Sequence, residues 1–291
     1  MAAASRLPEL ALVFLKLGTI AFGGPAVHVA MMEDEVVRRR GWLSRERFLD
    51  YVGASNLIPG PNSTELAIHI GRERAGWPGL VVAGTCFILP AFLIVWTIAW
   101  AYVRWGQLPR AQAVLYGVQP VVIAVVAQAL WRLGRGAVTN WRLALLGAAA
   151  AGAVLAGVDE LLVLLLGGLA ALALRHAPGA AAGAALPLLP AIPAIPAVSA
   201  ASPGALFLVF AKIGSVLFGS GYVLLAFLRS ELVVGRGWLT ERQLLDAVAV
   251  GQVTPGPVFT TATFVGYVLA GHAGAVAATA GIFLPAFAFV A

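Results

Sequence analysis

The chain repeats itself. Residues 14–61 (FLKLGTIAFGGPAVHVAMMEDEVVRRRGWLSRERFLDYVGASNLIPGP) align without a gap on residues 210–257 (FAKIGSVLFGSGYVLLAFLRSELVVGRGWLTERQLLDAVAVGQVTPGP). About 19 of 48 positions are identical, the mark of an internal duplication. Each copy carries apolar runs cut by glycine and proline. Gly23-Gly24-Pro25 splits a run from about Leu10 to Val37, and Pro59-Gly60-Pro61 splits one from about Phe48 to Ile70. A spanning helix needs roughly 20 uninterrupted apolar residues, and each side of these breaks offers about 10–13. Proline ends a helix on its N-terminal side and starts the next one well. The pattern predicts broken helices or re-entrant hairpins, with a kinked continuous helix as the alternative. The second copy has its breaks at Gly219-Ser220-Gly221 and Pro255-Gly256-Pro257.

Composition sets the solvent. Sixty per cent of the residues are hydrophobic and 11% charged, where a soluble domain carries roughly 25%. The expectation is an all-α polytopic membrane protein. The net charge of +6 falls between apolar spans and is read as loop anchoring rather than nucleic-acid binding. The single cysteine, Cys86, has no partner for a disulfide or a metal site. The first apolar run has no basic n-region and no cleavage site before it, and is read as a retained membrane segment. Further spans are expected at about Pro78–Val103, Ala111–Leu133 and Trp141–Leu174, the last divided by Asp159-Glu160. Residues 177–203 are rich in proline and alanine and carry no charge, which reads as a semi-rigid linker. The domain expectation is a first repeat over 1–176, the linker over 177–203 and a second repeat over 204–291. Phe87–Phe92 (FILPAF) matches Ile282–Phe287 (IFLPAF), after which the first copy continues and the second has four residues left. The second repeat is therefore expected to be incomplete at its C-terminus.

Several residues could carry chemistry. Lys16 and Lys212 hold matched positions inside apolar runs, where an ionisable group is a functional candidate by default and snorkelling to the interface is the structural alternative. Two ammonium groups would attract an anion. The Pro-Gly-Pro elements are followed by Asn62-Ser63-Thr64-Glu65 and by Val258-Phe259-Thr260-Thr261. A helix starting inside the membrane turns free N–H groups and a positive dipole end inward, which suits an anion. Asn62, Ser63, Thr64, Thr260 and Thr261 add donors fit for a tetrahedral oxyanion, or cap the helix locally. Glu65 would repel an anion unless protonated, so it is the first candidate proton carrier, with Asp50 (matched by Asp246) the second. Glu33-Asp34-Glu35 with Arg38-Arg39-Arg40 reads as a solvated, self-paired loop. Trp42 and Trp238 suit an interface, and Ser44 and Thr240 look like helix caps. His28 and His69 have no histidine in the second copy and read as structural. No HExxH, P-loop, Gly-x-Ser-x-Gly or Cys/His ligand set is present. Neither an enzyme nor an ATP-driven pump is expected, and no cofactor or metal is called for.

Phe22-Gly23-Gly24-Pro25, Arg40-Gly41-Trp42-Leu43 and Pro59-Gly60-Pro61-Asn62, with their second-copy echoes, resemble the chromate ion transporter family over nearly the whole chain outside the linker. The resemblance implies a multi-pass carrier of the bacterial inner membrane that exports chromate, an analogue of sulfate, and confers chromate resistance. It also implies two homologous halves in opposite orientations. The site expected on this reading comprises Lys16, Gly23, Gly24, Pro25, Pro59, Gly60, Pro61, Asn62, Ser63 and Thr64. From the second copy it takes Lys212, Pro255, Gly256, Pro257, Thr260 and Thr261. Gly219-Ser220-Gly221 departs from Gly23-Gly24-Pro25, so the two halves are not equivalent. The loop between Glu33 and Asp50 holds five arginines and its counterpart three, which favours the first loop as cytoplasmic. The partners expected are chromate or a sulfate-like oxyanion, the bilayer and a possible second copy of the chain, with no nucleic acid. A sulfate or molybdate carrier, an anion channel and an inactive truncated fragment are the alternatives.

Overall fold

The computed structural model describes residues 6–105, 138–156, 158, 160–175, 201–217 and 221–291, with isolated positions between 117 and 135. The Ala111–Leu133 span, Asp159, Gly219, Ser220 and nearly all of the 177–203 linker lie outside the described residues. Every regular element among the described residues is helical. The chain divides into two compact units, one of residues 1–122 with 194–291, the other of residues 123–193.

In the first unit, α1 (Leu7–Ile20) and α2 (Pro25–Glu33) flank the glycine break, and a π-helical turn (Asp34–Arg39) extends α2. Gly23 and Gly24 adopt φ of +109° and +81°, a region open to glycine, and Pro25 then opens α2. The break reverses the chain. Lys16 Nζ lies 3.3 Å from Glu35, and Arg40 Nη1 lies 2.5 Å from Glu9. A straight helix would hold residues 16 and 35 about 28 Å apart. α1 and α2 therefore form a hairpin with residues 21–24 at its tip.

The next pair does the same. α3 (Arg45–Leu57) starts at Ser44, whose side chain accepts from the Arg47 N–H, and α4 (Asn62–Trp105) follows Pro59-Gly60-Pro61. Tyr51 donates to Glu73 at 2.6 Å and stacks on His69 at 5.1 Å, so the first part of α4 runs back along α3. α4 then reverses at Ala75 and Gly76 (φ +65°). Gly71 and Gly79 touch there, and a Cβ on either would collide with the other's carbonyl. Small residues let helix backbones meet this closely. The limb over residues 62–74 is about 20 Å long and the limb over residues 77–105 about 43 Å, against a hydrocarbon core of about 30 Å.

The elements from residue 203 onward follow the same order. They are α7 (Pro203–Val216), α8 (Gly221–Leu228), a π-helical turn (Arg229–Val234), α9 (Glu241–Val253), a 3-10 turn (Val258–Thr260) and α10 (Thr261–Val290). A Thr240–Gln243 capping box opens α9. α10 reverses at Ala270 and Gly271, with Gly266 against Gly274. α1 packs on the long limb of α4 at Gly18 and Phe87, and α7 packs on α10 at Gly214 and Ile282. Leu10, Phe14, Leu17, Met32, Phe48 and Phe87 form the core beneath the first hairpins. The long limbs of α4 and α10 run antiparallel, since Gly84 lies against Phe287 while Trp96 bonds His272. α4 and the helical stretch over 258–290 are each long and apolar enough to cross a membrane. Leu12, Leu57, Val81, Leu208, Val276 and Leu284 stay exposed on the outer faces, as side chains meeting lipid do.

The second unit is described by itself. α5 (Trp141–Leu155) is capped by Asn140, whose Oδ1 accepts from the Leu143 N–H at 3.0 Å, and α6 (Glu160–Arg175) packs against it. The single apolar segment Trp141–Leu174 is thus two short helices, the second opening at Glu160.

A Cβ at Gly18 would stand 2.5 Å from the Phe87 carbonyl oxygen, whereas one at Gly53 in α3 would meet nothing within 4 Å. Gly18→Ala is expected to destabilise by about 1–3 kcal/mol through overpacking. Gly53→Ala should be neutral or better. Thermal unfolding of the detergent-solubilised chain compares the two, and equal midpoints would remove the backbone contact as a constraint.

Candidate functional site

The four hairpin tips meet. The Gly60 N–H donates to the Leu217 carbonyl at 2.7 Å, and the Gly256 N–H donates to the Ala21 carbonyl at 2.9 Å. Each Pro-Gly-Pro turn is thus hydrogen-bonded to the break after the first helix of the other copy. Gly60 (φ +136°) and Gly256 (φ +88°) both need glycine backbone freedom. A side chain at Gly60 would also strike the Glu65 carboxyl, and one at Gly256 would stand 3.0 Å from the Gly18 carbonyl.

Three helix starts converge on a cavity of about 10 Å³, room for about one water molecule. Pro25 and His28 of α2, Pro61, Asn62 and Ser63 of α4, and Pro257, Val258 and Phe259 of the 3-10 turn line it. The Thr64 and Glu65 N–H groups turn back to the Pro61 carbonyl, and the Thr260 N–H to Pro257. The starting N–H groups of α4 and of the 3-10 turn have no carbonyl one turn before them to accept. Of the expected donors, Thr260 and Thr261 give their hydroxyl hydrogens to the Pro257 and Val258 carbonyls, each at 2.8 Å, and so cap their own turn. The Thr64 hydroxyl is buried without a partner. Asn62 Nδ2 donates to Asn56 at 2.7 Å, leaving Oδ1 buried and unpartnered. Gly23, Gly24, Pro59 and Pro255 shape the tips beside these residues.

Glu65 is fully buried, and neither carboxyl oxygen has a hydrogen-bond partner. As an ion it would carry the full cost of an unpaired charge away from water. Asp50, the other expected proton group, lies on an exposed face of α3. Its counterpart Asp246 is buried and accepts from Tyr102 at 2.9 Å. The two matched aspartates do not share an environment.

Lys16 and Lys212 stand away from the tips. Lys212 pairs with Glu231 at 2.5 Å, and Glu231 also takes Arg236. Lys16 pairs with Glu35, and Glu35 takes Arg40 at 2.9 Å. The acidic loop expected to be solvated and self-paired is so only in part. Asp34 pairs with Arg39, but Glu35 turns inward and is buried. It turns in because the hairpin brings a lysine from α1 alongside it. Hydrogen bonds from Arg40 to Glu35 and then Glu9 hold that guanidinium more firmly protonated than usual. Arg40 and Arg74 lie over the Trp42 ring, and Arg236 over Trp238, so the tryptophans lock the hairpin bases by cation–π contact. The Lys16 side chain remains half exposed, beside a cleft of about 620 Å³ that Asp34 and Arg39 also line.

Sequence reasoning passed over His28, which lies in the cavity wall. Its position one turn after Pro25 was the available signal, since that turn faces back to the break.

These helical hairpins, outward apolar faces and polar inner tips define an all-α membrane protein. A sequence profile described as chromate transporter matches residues 8–172 and 204–291. The chain is 38% identical to a chromate transport protein of Pseudomonas aeruginosa, over 97% of this chain and 71% of that protein. It is 35% identical to a probable chromate transport protein of Synechococcus elongatus (97% and 74%) and 34% to a chromate transport protein of Cupriavidus metallidurans (97% and 73%). No solved structure matches it. The chain belongs to the chromate transporter family.

The lysine pairs should differ in strength. Lys212 is closer to its glutamate than Lys16 is and half as exposed (25% against 51%), which outweighs the slightly greater exposure of Glu231 (16% against 8% for Glu35). In double-mutant cycles with Lys→Met and Glu→Gln, the Lys16–Glu35 coupling is expected at about 0.5–1 kcal/mol, as for partly exposed pairs. The Lys212–Glu231 coupling should be larger, and the reverse order would contradict the burial argument.

Proposed function

We propose that this chain carries chromate outward across the bacterial inner membrane as a secondary transporter, binding the oxyanion where the hairpin tips meet. The observation that carries the reading is the convergence of three helix starts on one buried cavity. Such starts present N–H donors and positive dipole ends to an anion, and broken helices meeting at mid-membrane serve this purpose in carriers. The relatives named for chromate transport supply the substrate.

The halves, residues 1–176 and 204–291, are read as inverted repeats on either side of the 177–203 linker. Three contacts support the inversion. The long limb of α4 begins beside the base of its own hairpins and reaches Asp246 and His272 at the base of the others. The end of α10 returns to Arg72, whose Nη1 donates to the Val290 carbonyl at 2.7 Å. Each pair of hairpins then enters the membrane from its own side, and all the tips lie at mid-depth.

A cavity of about one water is too small for a tetrahedral oxyanion. Binding therefore requires the tips to part, and the Gly60–Leu217 and Gly256–Ala21 hydrogen bonds are what must stretch or exchange. Rocking of one half against the other would open the site to each side in turn. Moving negative charge out of an interior-negative cell is favourable by about 2.3 kcal/mol per charge per 100 mV. Asn62, Ser63, Thr64 and the turns Pro59-Gly60-Pro61 and Pro255-Gly256-Pro257 form the site, with Gly23, Gly24, Pro25, Thr260 and Thr261 supporting it. Lys16 serves the cleft at the base of the first hairpin and Lys212 the opposite base. Glu65, buried with both oxygens unpartnered, is held as the neutral acid and so does not repel the anion. Sulfate has the same shape and competes.

Chromate uptake into everted vesicles tests this. Uptake that excess sulfate suppresses is expected. Asn62→Ala should lower the initial rate by about tenfold, the loss of the hydrogen bond that the second Nδ2 hydrogen, the first being given to Asn56, makes to a charged ligand. Lys16→Ala should cost less, since Glu35 already holds that charge. Unchanged rates for Asn62→Ala, in vesicles with equal protein, would place the site elsewhere.

A further inference from the structure

We propose that His28 is a ligand of the oxyanion and the group that takes up one proton with each anion bound. This rests on reading the tip cavity as the anion site. His28 is 1% exposed and lines that cavity. Its Nε2 lies 3.1 Å from the Ala21 carbonyl, the same oxygen that accepts from Gly256 of the other half. A carbonyl only accepts, so Nε2 carries a hydrogen. In a neutral imidazole the other nitrogen is then a bare lone pair. That nitrogen, Nδ1, is buried with no partner. The Phe87 ring packs edge-on at 5.5 Å and fixes the imidazole plane.

The cavity thus mixes two kinds of group. The helix starts offer N–H donors, while His28 Nδ1 and Asn62 Oδ1 are acceptors with nothing to accept. A bare dianion would satisfy the donors and face a lone pair at Nδ1. An oxyanion that arrives with a proton satisfies both. Either its hydroxyl donates to Nδ1, or the proton sits on Nδ1 and the imidazolium donates to the dianion. The two forms differ only in where the hydrogen lies along one hydrogen bond, and both bind one proton per anion. No electron moves and no covalent bond other than N–H or O–H changes. Protonation also strengthens the Nε2–H bond to Ala21, which ties ligand arrival to the carbonyl that joins the two halves.

Other ionisable groups do not crowd His28. Ala21 of α1, Phe87 of α4, Asn62, Ser63, Val258 and Phe259 carry none. Glu65 lies one turn into α4, against Gly60, and Lys16 and Glu35 pair with each other further along the first hairpin.

Calorimetry decides between the carriers. Chromate is titrated into the purified full chain at alkaline pH, where the free anion bears no proton, in buffers of different ionisation enthalpy. The wild-type chain is expected to take up close to one proton per chromate. His28→Gln should abolish that uptake and weaken binding by about tenfold, while Glu65→Gln keeps it. Full proton uptake by His28→Gln overturns the proposal, and uptake lost only in Glu65→Gln assigns the proton there instead. No chromate binding by the wild-type chain removes the anion-site reading itself. Should His28→Gln fail to fold, a chain with His69, His176 and His272 replaced by Gln leaves one histidine for nitrogen NMR. Its Nδ1 resonance should move to the protonated or hydrogen-bonded position when chromate is added. An unchanged resonance at saturating chromate also overturns the proposal.

Discussion

Two backbone hydrogen bonds hold this molecule's logic together, Gly60 to Leu217 and Gly256 to Ala21. A helix broken inside a membrane frees N–H and C=O groups that lipid cannot satisfy. Here the groups freed in one half are met by groups freed in the other. Neither half can close its own accounts at the tip, so the crossing of the tips is a condition for the breaks to exist. The same crossing places helix starts from both halves against one cavity. On the proposed reading, stability and binding draw on one set of contacts, and a ligand that parts the tips must replace what it breaks.

The rest of the first unit serves to hold the tips together. Reversals at Ala75-Gly76 and Ala270-Gly271 depend on glycine pairs that let two limbs touch. At the hairpin bases, carboxylates at Glu35 and Glu231 gather a lysine and an arginine each. Tryptophans under arginines finish the joint. The matched lysines thus have an architectural use, clamping a hairpin. Lys16 also keeps half of its side chain exposed beside the cleft at that base.

Much of this was legible because it is local. The breaks at Gly23-Gly24-Pro25 and Pro59-Gly60-Pro61, the caps at Ser44 and Thr240, and the helical start at Asn62 follow from residue chemistry within a few positions. The direction of the chain after each break was not legible. A kinked helix and a hairpin differ only in the dihedral angles at two glycines, which many sequences permit. That choice decides whether Lys16 meets Glu35 or lies about 28 Å from it, so the pairing stayed hidden as well. Asp50 and Asp246 show the other limit. Sequence matching treats them alike, but Tyr102 covers one while the other stays on an open face. His28 was lost for the opposite reason. A lone histidine with no repeat partner looks structural until the tip geometry shows it in the cavity wall with one nitrogen unpartnered.

The duplication makes the donors nearly symmetric and leaves the proton chemistry one-sided. Helix starts from both halves reach the cavity, but His28 aligns with Leu224 and Glu65 with Thr261. Both ionisable groups belong to the first half, one just after each of its two tips. On the proposed reading, the groups that can bind a proton travel with the first half alone, so protonation and anion binding report on the position of that half. On that reading, divergence at these two positions confines the protonable groups to one half of a two-fold scaffold.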